Sequence, residues 1–419
     1  MRYDRDGGAE IAYGMHKADL SVRAGLKSFE KGRPVEILLE NLKPDSRYYY
    51  EVRDLAEGSV LVEGSFRTRR PPGAAFTFTV TADSHLDQNT DPVLYRRTLK
   101  AAAEDMPDFH IDLGDTFMTD KHESRENAAQ QYRAQRFHFG ELGRTVPVFL
   151  VLGNHDGEDA KLRRGGADSL ALWSNAMRKR YFPNPVPDKS YSGNATRVPN
   201  AGLLQDYYAW HWGDALFVVL SPYWHAAGRK GDERWDLSLG EEQYKWLGKT
   251  LETSRAKHKL VFVHQLVGGL DTQGRGGAEA AVFGEWGGRN ADGSEGFRQH
   301  RPGWEAPIHH LLVRNHVSMV LHGHDHLFAR QDLDGIVYQE VPQPGHQGAG
   351  SARSAAEYGY RDGVILGGSG YMRVAVSPDK LKVDFFSVHA SESSNMRDRN
   401  RQPLYSYTID VPGKTQDRP

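Results

Sequence analysis

The stretch Phe76-Thr77-Phe78-Thr79-Val80-Thr81-Ala82-Asp83-Ser84-His85 decides how this chain is read. Its first half alternates as a β-strand does, and it ends in a carboxylate and an imidazole two residues apart. In extended backbone, positions i and i+2 point to the same side, so one strand end can aim Asp83 and His85 at a single point. Alone, an Asp-x-His is ordinarily surface polar sequence. Here a comparable event recurs four more times, each after an apolar run. Asp115 follows 109–113, Asn154 and His155 follow 146–152, His264 follows 260–263, and His324 with His326 follows 317–321.

Composition limits what such a site can be built from. A chain of 419 residues holds one large domain, or a large and a small one. Its 38% hydrophobic and 26% charged content suits a soluble globular protein with a sizeable core, and a formal net charge of -2 gives no nucleic-acid or membrane-surface patch. No apolar run approaches a membrane span, and Met1-Arg2-Tyr3-Asp4-Arg5-Asp6 lacks the apolar core of a signal peptide. The absence of cysteine excludes disulfides, thiolate metal sites and cysteine nucleophiles. Any metal must then be held by oxygen and imidazole nitrogen, which favours Mn, Fe or Zn.

Residues 1–70 read as an all-β unit. Val35-Glu36-Ile37-Leu38-Leu39 and Tyr48-Tyr49-Tyr50-Glu51-Val52 are strand-like around a Pro44-Asp45 turn signal, and Gly64-Ser65-Phe66-Arg67-Thr68 reads as a closing strand. The stretch from Leu42 to Tyr50 resembles the corner of a fibronectin type III sandwich, shortened by one or two opening strands. Arg69-Arg70-Pro71-Pro72-Gly73 is a linker. From 74 to 410 the texture is α/β, with helices expected over 92–104, 241–254 and 307–315 and a β-rich tail from Gly335 to His389. Strands apolar on both faces imply a sheet covered on both sides. The glycine-rich segment from Gly268 to Gly303 reads as a long functional or mobile loop.

In α/β sheets, ligands bind beyond the carboxyl ends of strands, so the five blocks can converge in one cleft. Seven donors (Asp83, His85, Asp115, Asn154, His264, His324 and His326) are too many for one tetrahedral ion, and two ions sharing a carboxylate use them economically. The ordered blocks Asp83-x-His85, Gly114-Asp115, Gly153-Asn154-His155-Asp156, Val261-x-x-His264 and Gly323-His324-x-His326 resemble the calcineurin-like metallophosphoesterase superfamily. The small β domain ahead of them is similar to the layout of purple acid phosphatases.

That resemblance implies a four-layer α/β/β/α sandwich over residues 74–410, preceded by the fibronectin type III-like domain. It implies two divalent or mixed-valence ions (Mn, Fe or Zn), the first held by Asp83, His85 and His326, the second by Asn154, His264 and His324, with Asp115 bridging. His155 would stand near the leaving group and Asp156 would orient it. Met118 occupies the position where purple acid phosphatases carry a metal-binding tyrosine, so a colourless relative is implied, with His85 supplying the missing donor. The implied reaction is hydrolysis of small-molecule phosphate esters, foremost phosphomonoesters, by a metal-bridging hydroxide attacking phosphorus in line. A phosphodiesterase or nucleotidase would use the same ligands. Relatives with this layout are commonly exported, which makes a periplasmic or secreted location the expectation should a leader precede this N-terminus.

Other residues receive plainer readings. Tyr223 and His225 follow a strand end, and Arg275, Arg289 and His300 lie in the glycine-rich segment, so all five are candidates to touch a substrate phosphate or leaving group. His322 reads as structural, Asp325 as solvated or behind the ligands, and His309 and His310 as packing or surface residues. A metallo-β-lactamase-like reading of His322-x-His324-Asp325-His326 leaves Asp83, Asp115 and Asn154 unexplained. A non-catalytic adhesion module would tolerate decay of the ligand set, and every block is intact.

Overall fold

The computed structural model describes residues 5–226, 233–271, 273–346, 352–390 and 402–411. It opens with an antiparallel sheet of β1 (Gly7–Gly14), β2 (Val22–Phe29), β3 (Arg47–Asp54) and β4 (Val60–Arg67) in the order β2-β1-β3-β4. The run Val35–Leu39, expected as a strand, pairs with no strand among the described residues. Its Ile37 side chain lies over Gly25 of β2, so the segment crosses the face of the sheet, and Leu38 is left exposed.

The parallel strands β5 (Phe76–Thr81), β6 (Phe109–Asp112) and β7 (Val148–Leu150) come next. After them β8 (Tyr191–Gly193) starts a second sheet at its edge, and β9 (Arg197–Val198) and β10 (Gly202–Leu203) form a small ribbon. The second sheet is completed by β11 (Tyr208–Trp212), β12 (Ala215–Val219), β13 (His258–Phe262), β14 (Met319–His322), β15 (Phe328–Leu333), β16 (Ile336–Glu340) and β17 (Val364–Leu366). Its order is β17-β15-β16-β14-β13-β12-β11-β8. The chain then returns to the first sheet, where β18 (Gly370–Val376), β19 (Lys380–Ser387) and β20 (Tyr405–Asp410) give the order β20-β19-β18-β5-β6-β7.

The two sheets face each other across an aromatic core. Phe78 is fully buried at its centre, stacked on Phe109 at 5.5 Å and edge-on to Phe217 at 5.2 Å. Removing such a ring costs about 3–5 kcal/mol. Helix α1 (Pro92–Glu104) begins where Asp91 accepts the Val93 and Leu94 N–H groups, and it buries Leu94, Tyr95 and Leu99 against Tyr371 and Phe386 of the six-stranded sheet. Helix α2 (Arg125–Gly143) packs beside it, and α3 (Leu170–Tyr181) packs against α2. On the far side, α4 (Gly240–Thr253) and the helix Ile308–Arg314 cover β12, β13 and β14 through Leu247, Leu251 and Leu311. The result is the expected α/β/β/α arrangement.

The N-terminal sheet is bound to this body by polar contacts. Tyr50 and the Ser65 N–H both donate to the Arg144 carbonyl, at 3.0 and 3.1 Å, and Asp108 accepts from Arg70 at 2.7 Å and from Trp212 at 2.9 Å. The segment from Gly268 to Gly303 is not a free loop. It contains short helical turns, and the fully buried Trp286 donates to Tyr338 at 2.9 Å.

Candidate active site

The site is assembled from turns that follow the carboxyl ends of β5, β6, β7, β13 and β14. Five of its residues hold left-handed backbone: Asp83 (φ 55°), His85 (53°), Asp115 (53°), His324 (84°) and His326 (63°). Such conformations cost about 1–3 kcal/mol each in a non-glycine residue and persist only where the surroundings impose them. The imposing contacts are visible. Asp83 N–H donates to the Gly114 carbonyl at 3.0 Å and His85 N–H to that of Asp115 at 3.2 Å, tying the first turn to the second. From α2, Gln131 donates to the His85 carbonyl, and Gln135 donates to Ser84 Oγ and the Thr116 carbonyl, both at 2.7 Å. Gly153 passes so close to the second turn that a Cβ there would meet Asp115 Oδ1 at 2.2 Å.

Asp156 departs from its expected role. Its carboxylate accepts the backbone N–H groups of Gly153 (2.7 Å), Thr116 (2.8 Å), Phe117 (2.8 Å) and Asp115 (3.2 Å), stitching two ligand turns together instead of orienting His155. Burial, with the Asp115 charge added, pushes its pKa up to about 7.

The donor atoms meet in two groups. One comprises Asp83, His85 and His326, the other Asp115, His264 and His324. Asp83 Oδ2 accepts the His324 backbone N–H at 2.8 Å, while Oδ1 faces His326 Nε2 (3.4 Å), His85 Nε2 (3.7 Å) and His264 Nε2 (3.9 Å). Asp115 divides its oxygens in the same way. Oδ1 takes the His155 N–H at 2.8 Å, leaving Oδ2 3.3 Å from His264 Nε2 and 3.7 Å from His85 Nε2, so it faces both groups. Asn154 Oδ1 lies 3.0 Å from His264 Nε2. Two imidazoles are turned by carbonyls: His264 Nδ1 lies 2.8 Å from the Leu113 oxygen, and His324 Nε2 lies 2.8 Å from that of Gln273. Second contacts of this kind fix which nitrogen is presented to a metal.

Among the described residues, Asp83 Oδ1 and His85 Nε2 are both buried without a hydrogen-bond partner, an arrangement that is costly unless a cation sits between them. Electrostatics agree. Burial opposes ionisation of Asp83 and Asp115, yet the facing imidazoles hold both carboxylates below their ordinary range. Burial likewise opposes charge on His85 and His264, but the carboxylates outweigh it and raise them to about 10 and about 9. The donor set of oxygens and imidazoles fits the expected pair of ions.

His155 lies beside the ligands, and its Nδ1 is 2.9 and 3.1 Å from the two oxygens of Asp120. Asp120 was not anticipated. Its only sequence signal is a carboxylate five positions beyond Asp115, and it is delivered by a turn that begins at Met118 in left-handed conformation (φ 48°). Met118 itself is buried. His155, Asp120, Lys121 and Asn154 line a cavity of about 250 Å³ together with Tyr223 and Gln265.

Of the five further candidates, only Tyr223 lines this cavity, buried and donating to Gln265 at 3.0 Å. His225 is exposed and its ring lies over Gly240. Arg275 stacks over Tyr358 at 4.3 Å, Arg289 faces Glu295 at 3.7 Å, and His300 stacks on Trp235 at 4.3 Å. Asp325 is buried, not solvated. It accepts from Gly276 N–H and Tyr360, both at 2.8 Å, and so pins the glycine-rich segment behind the ligands. His322 is buried 2.6 Å from Glu340, and His309 lies between Tyr338 and Asp334.

The family model for calcineurin-like phosphoesterases matches residues 76–328. The chain belongs to that family. This calcineurin-like phosphoesterase is accordingly a metal-dependent hydrolase of phosphoric esters, from a family that uses a dinuclear metal site. Its fold is similar to that of PhoD (TM-score 0.64, 15% identity, covering 93% of this chain and 81% of that one). It is similar also to purple acid phosphatase PPD1 from yellow lupin seeds (TM-score 0.61, 15% identity, covering 97% of this chain and 70% of that one). Comparison with curated protein sequences returns no match. Among the described residues no helix is long and apolar enough to cross a membrane.

Proposed function

We propose that this calcineurin-like phosphoesterase acts on phosphomonoesters. Asp83, His85 and His326 would hold one metal ion, Asn154, His264 and His324 a second, and Asp115 would be shared. The observation that carries this reading is Asp115 Oδ2, turned toward both donor groups while its other oxygen is occupied by the His155 N–H. Two bound ions supply Lewis acidity toward phosphoryl oxygens and ease the ionisation of water. Mn, Fe and Zn all suit these ligands.

The remaining chemistry belongs to the chain. Asp120 accepts a hydrogen bond from the Nδ1–H of His155 and leaves Nε2 for the cavity, where it can hold a proton for the departing ester oxygen. Burial drives the His324 pKa down to about 4, keeping its imidazole neutral and free to ligate. A small-molecule substrate suits the cavity of about 250 Å³. The monoester assignment draws on the phosphatase named among the structures sharing this fold, an argument by analogy. Domain limits of 1–70 for the fibronectin type III-like part and 74–410 for the catalytic part accompany the proposal.

The test is a hydrolysis panel of 4-nitrophenyl phosphate, bis(4-nitrophenyl) phosphate and nucleoside monophosphates with Mn, Fe and Zn supplied in turn. A higher kcat/KM on monoesters is expected. Faster turnover of the bis-ester than of every monoester overturns the assignment.

A further inference from the structure

A second cavity, of about 260 Å³, opens where the N-terminal sheet meets the catalytic body. Its walls are aromatic: Phe109, the first residue of β6, Phe149 of β7, Tyr191 of β8, and Trp210 and Trp212 of β11. Strands β7 and β8 are edge strands of the two sheets, so the cavity lies in the open side of the sandwich. Pro147, just ahead of β7, also lines it, which places it at the opposite end of the strands from the metal ligands. Arg67 and Arg69, at the end of β4, complete the lining.

Among the described residues, two donors here make no hydrogen bond. Trp210 is only 3% exposed and its indole N–H has no hydrogen-bond partner, whereas that of Trp212 donates to Asp108. Arg67 Nε is buried and makes no hydrogen bond among the described residues either, standing 3.9 Å from Asp108 while Nη1 lies 3.5 Å from Asp45. Arg69 has no carboxylate partner among the described residues, and its charge, added to burial, disfavours protonation of the neighbouring His211. Buried donors are normally satisfied, aromatic walls favour a flat apolar body, and guanidinium groups grip carboxylates through paired hydrogen bonds. A space of this size admits a molecule of about one or two rings.

We propose that this cavity binds a small aromatic carboxylate, with its ring system among the aromatic walls and its anionic group on Arg67 and Arg69. The site is separate from the hydrolytic centre and would be occupied whether or not a phosphate ester is being turned over.

The test titrates 1-naphthoate and its neutral analogue 1-naphthalenemethanol into the full-length protein, followed by tryptophan fluorescence and calorimetry. Saturable binding of naphthoate is expected. Arg69→Glu should weaken naphthoate by ~10-fold or more and leave the alcohol unchanged. Ser190→Trp, at an exposed position on the cavity lining, should abolish binding of both. Hydrolysis of 4-nitrophenyl phosphate stays at the wild-type rate in both variants, which shows them folded. Absence of saturable naphthoate binding, or an affinity unchanged in Ser190→Trp, overturns the site. An affinity unchanged in Arg69→Glu overturns the carboxylate.

Discussion

Replacing Asp120 separates two jobs that hydrolysis requires. The carboxylate contacts His155 Nδ1 at 2.9 and 3.1 Å, with side chains 15% and 21% exposed, so the pair is partly screened by solvent. A hydrogen bond to a charged group is worth about 1.5–3 kcal/mol, and partial exposure places this one at the lower end, a factor of ~10–30 in rate. In Asp120→Asn the amide can donate to Nδ1 and force the proton off it, which leaves a neutral imidazole whose Nε2–H is a far weaker acid than the imidazolium a leaving alkoxide needs. The loss must therefore depend on the leaving group. On glycerol phosphate, kcat should fall ~10–30-fold, whereas 4-nitrophenolate departs unprotonated and its release should slow less than ~3-fold. Steady-state kinetics on both substrates, with metal content verified, decide the matter. An equal loss on both esters, or none on either, would refute the role given to the pair.

Other substitutions probe the frame. Asp156→Ala leaves four backbone N–H groups without their acceptor and should lower stability by about 3 kcal/mol, read from urea unfolding of chelator-treated protein; a loss below 1 kcal/mol would contradict the stitching role. Gly153→Ala puts a methyl 2.2 Å from both the backbone nitrogen and Oδ1 of Asp115, so the whole ligand turn must shift and carry the carboxylate with it; elemental analysis should find bound metal reduced by at least half, and full occupancy would sink the idea. His110 offers a pH test. Burial depresses its folded pKa to about 3 from 6.5, so the unfolded chain binds the extra proton and stability falls as pH drops below 6.5, by about 2 kcal/mol at pH 5. Urea midpoints of chelator-treated His110→Gln should show a shallower decline over that window, and an identical slope would show that His110 does not contribute.

Much of the site was legible because strand ends announce it. Runs such as 215–220 and 260–263 are apolar on both faces, so a polar residue at their end stands out, and Asp91-Pro92 marks the start of α1 by ordinary capping chemistry. Helix α2 was not legible, for an instructive reason. Its buried face includes Gln131, Gln135 and His138, because that face grips the ligand turns, and hydrophobic periodicity has little to detect. Asp120 and Asp325 depend on how turns are folded back: one follows a left-handed methionine, the other is sealed under Gly276 and Tyr360. In the N-terminal part, Val35–Leu39 has strand composition but lies across a sheet face, where composition cannot distinguish crossing from pairing. Strands β1 and β2, unanticipated, carry glycines and charges that dilute the alternating pattern.

The most direct measurement is anomalous diffraction from crystals grown with Mn, collected on both sides of the metal's absorption edge. Two peaks about 3.5–4 Å apart are expected, one beside Asp83, His85 and His326 and the other beside Asn154, His264 and His324, with Asp115 between them. A single peak, or none with Mn, Fe and Zn each supplied, contradicts a shared-carboxylate pair.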